Sequence, residues 1–258
     1  MNKKLSIVVI GRNEEKLIGD CFKSAAFADE LILLDGESTD KTVKIAKDYQ
    51  ARVIPQAVKE KDWAAWHNQG KEEAQGEWLF YLDADERITP ELEREIKDIM
   101  KEGSEELSAF AVPRLNVLLG KEMFFGGWYP DYQIRLFHKD KLDKWVGKLH
   151  ERPVYEGQLG YLKQPIKHLT HRDLTSMVEK TNYWSLIEAK LLYEAHHPPM
   201  APWRFFRIML TEFWERGIKK QGWRDGIVGW IEIIYQMFSR FMTYAKLWEL
   251  QQKWQNKK

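Results

Sequence analysis

Only one cysteine, Cys21, occurs in the 258 residues, so no disulfide can form within the chain, and the composition fits a reducing compartment. No run of about 18 uncharged apolar residues exists, which argues against a transmembrane helix. The opening Met-Asn-Lys-Lys precedes a short strand-like run and is too brief for a signal peptide. Together these absences predict a cytoplasmic protein. Internal repeats and low-complexity tracts are also missing, which removes solenoids and long linkers from consideration. Net charge is nearly absent too, at +1 from 40 Lys and Arg against 39 Asp and Glu.

That balance conceals an uneven distribution. Residues 196–258 carry 11 Lys and Arg against 5 Asp and Glu, a surplus of +6, which leaves residues 1–195 at −5. The same tail holds Trp203, Trp214, Trp223, Trp230, Trp248 and Trp254, six of the twelve tryptophans. An acidic front and a basic, aromatic back imply two surfaces with different partners. Nucleic acid is a poor candidate for either, because the front is acidic and no nucleic-acid motif is present.

The chain is organised around Glu77-Trp-Leu-Phe-Tyr-Leu-Asp83-Ala-Asp85-Glu86. Unbroken apolar residues from Trp78 to Leu82 read as a strand buried on both faces, whose C-terminal end delivers carboxylates into a crevice. Thr89-Pro90 then caps and starts a helix. Asp83 and Asp85 flank one small residue, so their oxygens can converge on a hard divalent cation such as Mg or Mn, with Glu86 beside them. A solvated strand-to-helix turn is the competing reading of the same spacing.

Before this strand, Leu5–Ile10, Leu31–Leu34 and Arg52–Ile54 read as strands. Helices follow Asn13, which is expected to cap the first, and Asp62, which is expected to cap Trp63–Ala74. The alternation predicts a mainly parallel sheet. After Gly103 the pattern changes: Ser108–Asn116, Met123–Trp128 and Tyr132–Phe137 read as strands of an antiparallel annex, with a looser stretch from Trp145 to His171. From Asp173 the chain reads as helix, interrupted by Pro198, Pro199 and Pro202. The expected organisation is an α/β domain over 1–172, with a nucleotide-binding half at 1–102 and an acceptor-binding half at 103–172, then a helical extension over 173–258.

In order along the chain, Ile7-Val-Val-Ile-Gly-Arg-Asn13-Glu14-Glu15, Leu34-Asp35-Gly-Glu-Ser-Thr-Asp40, Asp62-Trp-Ala-Ala-Trp-His-Asn68 and Leu82-Asp-Ala-Asp-Glu86 resemble the motifs of the family-2 glycosyltransferases, which have a GT-A fold. Gly126-Gly-Trp128, Arg135-Leu-Phe137, Lys148-Leu-His150-Glu151 and Gly222-Trp-Arg-Asp-Gly226 are similar to a bacterial subgroup that adds glucose to the lipopolysaccharide inner core. The resemblance implies an inverting, metal-dependent transfer of a hexose from a UDP-sugar to a lipid-linked saccharide, at the cytoplasmic face of the inner membrane. It further implies that Arg12, Asn13, Glu14, Asp35, Asn68 and Asp83 bind the nucleotide sugar, Asp35 through the uracil N3–H. Asp85, with Asp83 toward the ribose or the metal, would hold the divalent ion.

An inverting transfer needs a base on the face opposite the leaving group. Glu151 and Asp131 compete for that part, and Glu151 is favoured. His150 is a third metal ligand or a buried, satisfied histidine; Arg135 binds a diphosphate or pairs with Asp131. A zinc site from His168, His171, His196 and His197 is disfavoured, since no cysteine accompanies them and the first pair falls in an expected loop.

Two readings from other classes compete with the enzyme. A receiver-like module would need an acidic cluster after its first strand, where Gly11-Arg-Asn stands instead. A non-catalytic adaptor docked through its tail would make Asp83 and Asp85 a mere turn. In the tail, Glu232, Gln236, Ser239, Arg240, Thr243 and Lys246 recur every three or four residues and leave a wide apolar face, and Trp203–Glu215 behaves alike. Such a face packs against another helix or subunit, or lies in the plane of an anionic membrane; the tryptophans and cations favour the membrane.

Overall fold

The computed structural model of the protein describes residues 4–58, 62–102, 106–147 and 151–255. The first hundred residues alternate as expected: β1 (Leu5–Gly11), α1 (Ile18–Ala25), β2 (Glu30–Asp35), α2 (Thr42–Asp48), β3 (Arg52–Pro55), α3 (Trp63–Glu73), β4 (Trp78–Asp83), β5 (Glu86–Ile88) and α4 (Pro90–Glu102). Thereafter come β6 (Leu107–Leu118), β7 (Lys121–Glu122), β8 (Asp131–His138), β9 (Leu142–Val146), β10 (Arg152–Tyr155), β11 (Gln158–Tyr161) and β12 (Ile166–His171). The chain ends in helices α5 (Leu174–Glu194), α6 (Pro202–Glu212) and α7 (Gly226–Gln255).

The main sheet runs β3-β2-β1-β4-β8-β6-β12-β5, with β7 and β11 on β6, and β9 with β10 forms a separate antiparallel pair. β1 pairs in parallel with β2 and β4, and the register sets Gly11 beside Asp35 and Ile10 beside Asp83. Three strand ends therefore finish level, at the edge where ligands bind in an open α/β sheet. Side chains alternate across the pleat. Leu5, Ile7, Val9, Phe80 and Leu82 face α1, while Val8, Ile10, Leu79 and Tyr81 face Ala64 and Trp66 of α3. α3 lies so close that a Cβ on Gly70 would stand 2.8 Å from Val8 Cγ1. Asp62 caps this helix by accepting the Ala65 N–H, and Thr89 Oγ1 accepts the Leu92 N–H at the start of α4, both as the sequence predicts.

Contacts divide the chain into two compact units, residues 1–114 with 132–168, and residues 115–131 with 169–258. The second unit contains α5, α6 and α7, with a π-helical stretch Phe213–Lys219 after α6 and a 3-10 turn Gly222–Asp225 before α7. Asp173 caps α5 through the Ser176 N–H.

Three local expectations fail, the first being the loose stretch from Trp145 to His171, which holds β10, β11 and β12. Asn13 does not cap α1, which starts at Ile18 without a side-chain cap; Asn13 is in a left-handed conformation, φ 56°, and serves a loop described below. Met123–Trp128 is not a strand. Gly126 and Gly127 take positive φ, which ends extended structure, and the Phe124 and Phe125 N–H groups donate to the buried Asp225 carboxylate rather than to a neighbouring strand.

Candidate active site

At the C-terminal edge of the sheet, the loops after β1 and β2 are stitched together by their own polar side chains. The Asn13 N–H donates to Ser38 Oγ at 2.9 Å and its Oδ1 accepts the Thr39 N–H at 2.8 Å. The Glu14 N–H donates to Thr42 Oγ1, and the Glu15 N–H to Asp40 Oδ2. Asp35 accepts the Ser38 N–H through Oδ2, while its buried Oδ1 has no hydrogen-bond partner among the described residues. A buried carboxylate oxygen left this way is suited to a ligand N–H. A cleft of about 350 Å³ is lined by Gly36, the chain neighbour of Asp35, with Arg12, Glu14, Gln56, Trp63 and Trp66 among others.

A second pocket of about 330 Å³ shares Ile10, Glu14 and Trp63 with the first. Its walls bring together Asp83, Asp85, Glu151, His67, Arg114, Gln133, Arg135 and His168. The acidic turn is built from beneath. Glu86, fully buried, accepts the Asp83 N–H through Oε2 at 3.1 Å, and its Oε1 accepts Arg135 Nη2 at 2.6 Å. The same Arg135 nitrogen donates to Asp83 Oδ2 at 2.5 Å. One guanidinium therefore serves two carboxylates.

Burial opposes charge on all three groups, with different outcomes. For Asp83, whose side chain remains 37% exposed to the pocket, Arg135 outweighs the desolvation and holds the carboxyl below its ordinary range. For Glu86 desolvation dominates over Arg135, and its pKa is raised. Arg135 loses hydration but gains two carboxylates, which keeps it firmly protonated. His67 is pushed down to about 4 by burial and is neutral. Its Nδ1 lies 2.7 Å from the Trp63 carbonyl, which sets the Nδ1–H tautomer, and its ring stacks on Trp145.

Arg12 and Glu14 thus line the first pocket, and Glu14, Asp83, Asp85 and Glu151 line the second. Asn13 holds the loop. Asn68 is tied to β9, its Nδ2 donating to the Trp145 carbonyl and its Oδ1 accepting the Trp145 N–H. Asp131, at the start of β8, belongs to the second compact unit. His150 lies outside the described residues. Arg135 pairs with Asp83 and Glu86, neither of the partners expected from sequence.

His168, expected in a loop, is in β12 opposite Glu86, and its Nε2 stands 3.5 Å from Asp85 Oδ2. No group of three or more His, Cys, Asp or Glu side chains gathers as a metal cage among the described residues. Asp85 and His168 nevertheless present oxygen and nitrogen donors on a pocket wall, which fits an ion of the Mg or Mn type that draws its remaining ligands from phosphates and water. His67, His168, Arg114 and Gln133 line this pocket without having been assigned to it from sequence.

The family model described as Glycosyl transferase family 2 matches residues 6–151. Over 258 residues the chain is 27% identical to the lipopolysaccharide core biosynthesis glycosyltransferase LpsC of Rhizobium meliloti, covering 95% of this chain and 92% of that one. It is 28% identical over 271 residues to an uncharacterized glycosyltransferase of Rickettsia typhi, covering 98% and 90%. Among solved structures, glucosyl-3-phosphoglycerate synthase from Mycobacterium tuberculosis, in complex with Mn2+, UDP and glucosyl-3-phosphoglycerate, superimposes with a TM-score of 0.50 at 16% identity over 76% of this chain and 81% of that one. That likeness bears on the fold.

Proposed function

The chain belongs to glycosyl transferase family 2 and has the GT-A fold, and from that premise we propose that it transfers a hexose, glucose in the first instance, from a UDP-sugar to a lipid-linked saccharide of the lipopolysaccharide inner core, with inversion. The observation that carries the reading is a pair of pockets that share Ile10, Glu14 and Trp63, one lined by Gly36 next to Asp35, whose Oδ1 has no hydrogen-bond partner among the described residues, the other uniting Asp83, Asp85 and Glu151. The name of LpsC supports the acceptor class. An acceptor of that kind puts the reaction at the cytoplasmic face of the inner membrane. Residues 1–102 would hold the donor and 103–172 the acceptor, with 173–258 as an extension.

In this mechanism the base and ribose occupy the first pocket, where Asp35 Oδ1 accepts the uracil N3–H and Arg12 faces the nucleotide. The diphosphate lies toward Asp83 and Asp85. A divalent ion there, held by Asp85 with Asp83 and His168 at hand, would neutralise charge on the departing diphosphate. Arg135 keeps Asp83 ionised and its Oδ2 fixed. Glu151 takes the proton of the acceptor hydroxyl as that oxygen bonds to the anomeric carbon; the anomeric bond to UDP breaks, and UDP leaves with the electron pair. Asp131 is the second candidate for the base, and His150 a further candidate ligand.

A panel of nucleotide sugars with Mn or Mg, read as nucleotide diphosphate released, tests the donor. UDP-glucose is expected to give metal-dependent release, and Asp85→Ala to abolish it with the circular dichroism melt unchanged, since Asp85 lies in a turn at the pocket wall rather than in the core. Release from no donor, or wild-type release from Asp85→Ala, would contradict the proposal.

A further inference from the structure

Helices usually turn apolar residues inward, and α7 does so only in part. Glu232 and Thr243 are 3% and 1% exposed, while Phe206 on α6 and Ile227 on α7 are 70% and 74% exposed. Polar pairs hold the inner seams of the bundle. Thr181 and Tyr235 share a hydrogen bond of 2.6 Å, Thr243 donates to Glu188, and Lys246 donates to Asn182 and Ser185. Between α6 and α7, Arg240 approaches Glu212 at 3.6 Å.

The outward faces are apolar and regular. On α6 and its π-helical continuation, Trp203, Phe206, Leu210 and Trp214 recur at three- and four-residue spacing; on α7, Ile227, Trp230, Ile234, Phe238 and Phe241 do the same. This spacing puts each set on one side of its helix. The α7 stripe extends over about 20 Å at 1.5 Å per residue. Water-exposed faces of that extent mark an interaction surface. Cations accompany it: the Arg204 and Arg207 guanidinium groups sit 4.9 and 5.5 Å from the Trp203 ring, and Lys219, Lys220 and Arg224 are exposed in the segment joining the two helices, the lysines 3.1 and 3.4 Å from Glu215 and the arginine over the Phe125 ring.

We infer that this α6–α7 face docks in the plane of an anionic lipid bilayer, with the aromatic and aliphatic stripe in the headgroup–acyl boundary and the accompanying Arg and Lys on lipid phosphates. Tryptophan, with an apolar ring and one N–H, suits that boundary, as does arginine laid over its face. No helix among the described residues is long and apolar enough to cross a membrane, so the contact is in-plane. A second copy fits less well, because a two-fold interface through this face would bring the same cations together. The use of the surface rests on the proposed lipid-borne acceptor; the surface itself does not.

The test is sedimentation of the full chain with vesicles of phosphatidylcholine alone and of phosphatidylcholine mixed equally with phosphatidylglycerol. The wild type should bind the anionic vesicles preferentially. Replacing Phe206, Leu210 and Ile234 with Ser should cut that binding at least tenfold, roughly the effect of removing that much buried apolar surface, without lowering the thermal midpoint. Replacing Arg204, Arg207, Lys219, Lys220 and Arg224 with Gln should abolish the anionic preference and its salt sensitivity. Equal binding of wild type to both vesicles, undiminished binding of the Ser variant, or a lipid-free dimer by light scattering that the Ser substitutions dissociate would overturn the inference. UDP release from UDP-glucose without lipid should be unchanged in both variants. Its absence in the wild type would count against the proposed reaction alone, leaving the vesicle result to stand.

Discussion

Glu232 is a carboxyl buried in α7 with one oxygen that has no partner among the described residues, and burial pushes its pKa up to about 7. Because the folded value lies above the unfolded one, the stabilisation is complete below about pH 4.5 and is lost as pH rises through about 7. Glu232→Gln, which mimics the protonated acid, should be more stable than wild type at pH 8 by up to about 3 kcal/mol and nearly equal at pH 4.5. Urea unfolding at the two pH values checks this, and a gain of the same size at both would refute the assignment. Residues differ in how far their roles can be read along the chain. Asp83 and Asp85 were legible because strand, turn and carboxylates sit within one short segment. Arg135 was visible as a residue but not as a partner: its contact with Glu86 spans 49 positions, and only the antiparallel register of β8 on β4 brings it under the acidic turn. His168 is similar, set beside Asp85 by the pairing of β12 with β5.

At the scale of elements, the parallel strands and their helices could be read almost entirely, since periodicity, the Asp62 cap and the Pro90 start are all local signals. The segment Met123–Trp128 could not, because its hydrophobicity resembles a strand while its hydrogen-bond acceptor lies about a hundred positions later. Asp225 Oδ2 accepts the Phe124 and Phe125 N–H groups at 3.1 and 2.8 Å, and the Lys220 carbonyl accepts the Gly126 N–H. Asp225→Ala would leave those amides unpaired. Loss of such charge-assisted bonds should cost about 2–3 kcal/mol. Hydrogen exchange at Phe124 and Phe125 should accelerate well beyond that of the β1 amides; unchanged protection at both would show that the carboxylate is not what holds the loop. The period of α7 was likewise legible, but not which side faces inward, because the helix buries Glu232 and Thr243 and exposes Ile227 and Ile234.

For the whole molecule, the ordered motifs between residues 5 and 100 are enough to indicate the fold, and the match of the family over residues 6–151 agrees with them. Chain topology adds the convergence of Glu151 with Asp83 and Asp85 on one pocket, which local patterns cannot supply. The most direct measurement is a comparison of Glu151→Gln with wild type for two quantities: UDP binding by calorimetry, and hexose transfer from UDP-glucose to a lipopolysaccharide core acceptor, in the presence of Mn. Since donor binding does not need the proton acceptor, affinity should stay within about threefold while transfer falls by about 10² to 10⁴. Transfer at the wild-type rate by Glu151→Gln, with Asp131→Asn inactive instead, would contradict the account.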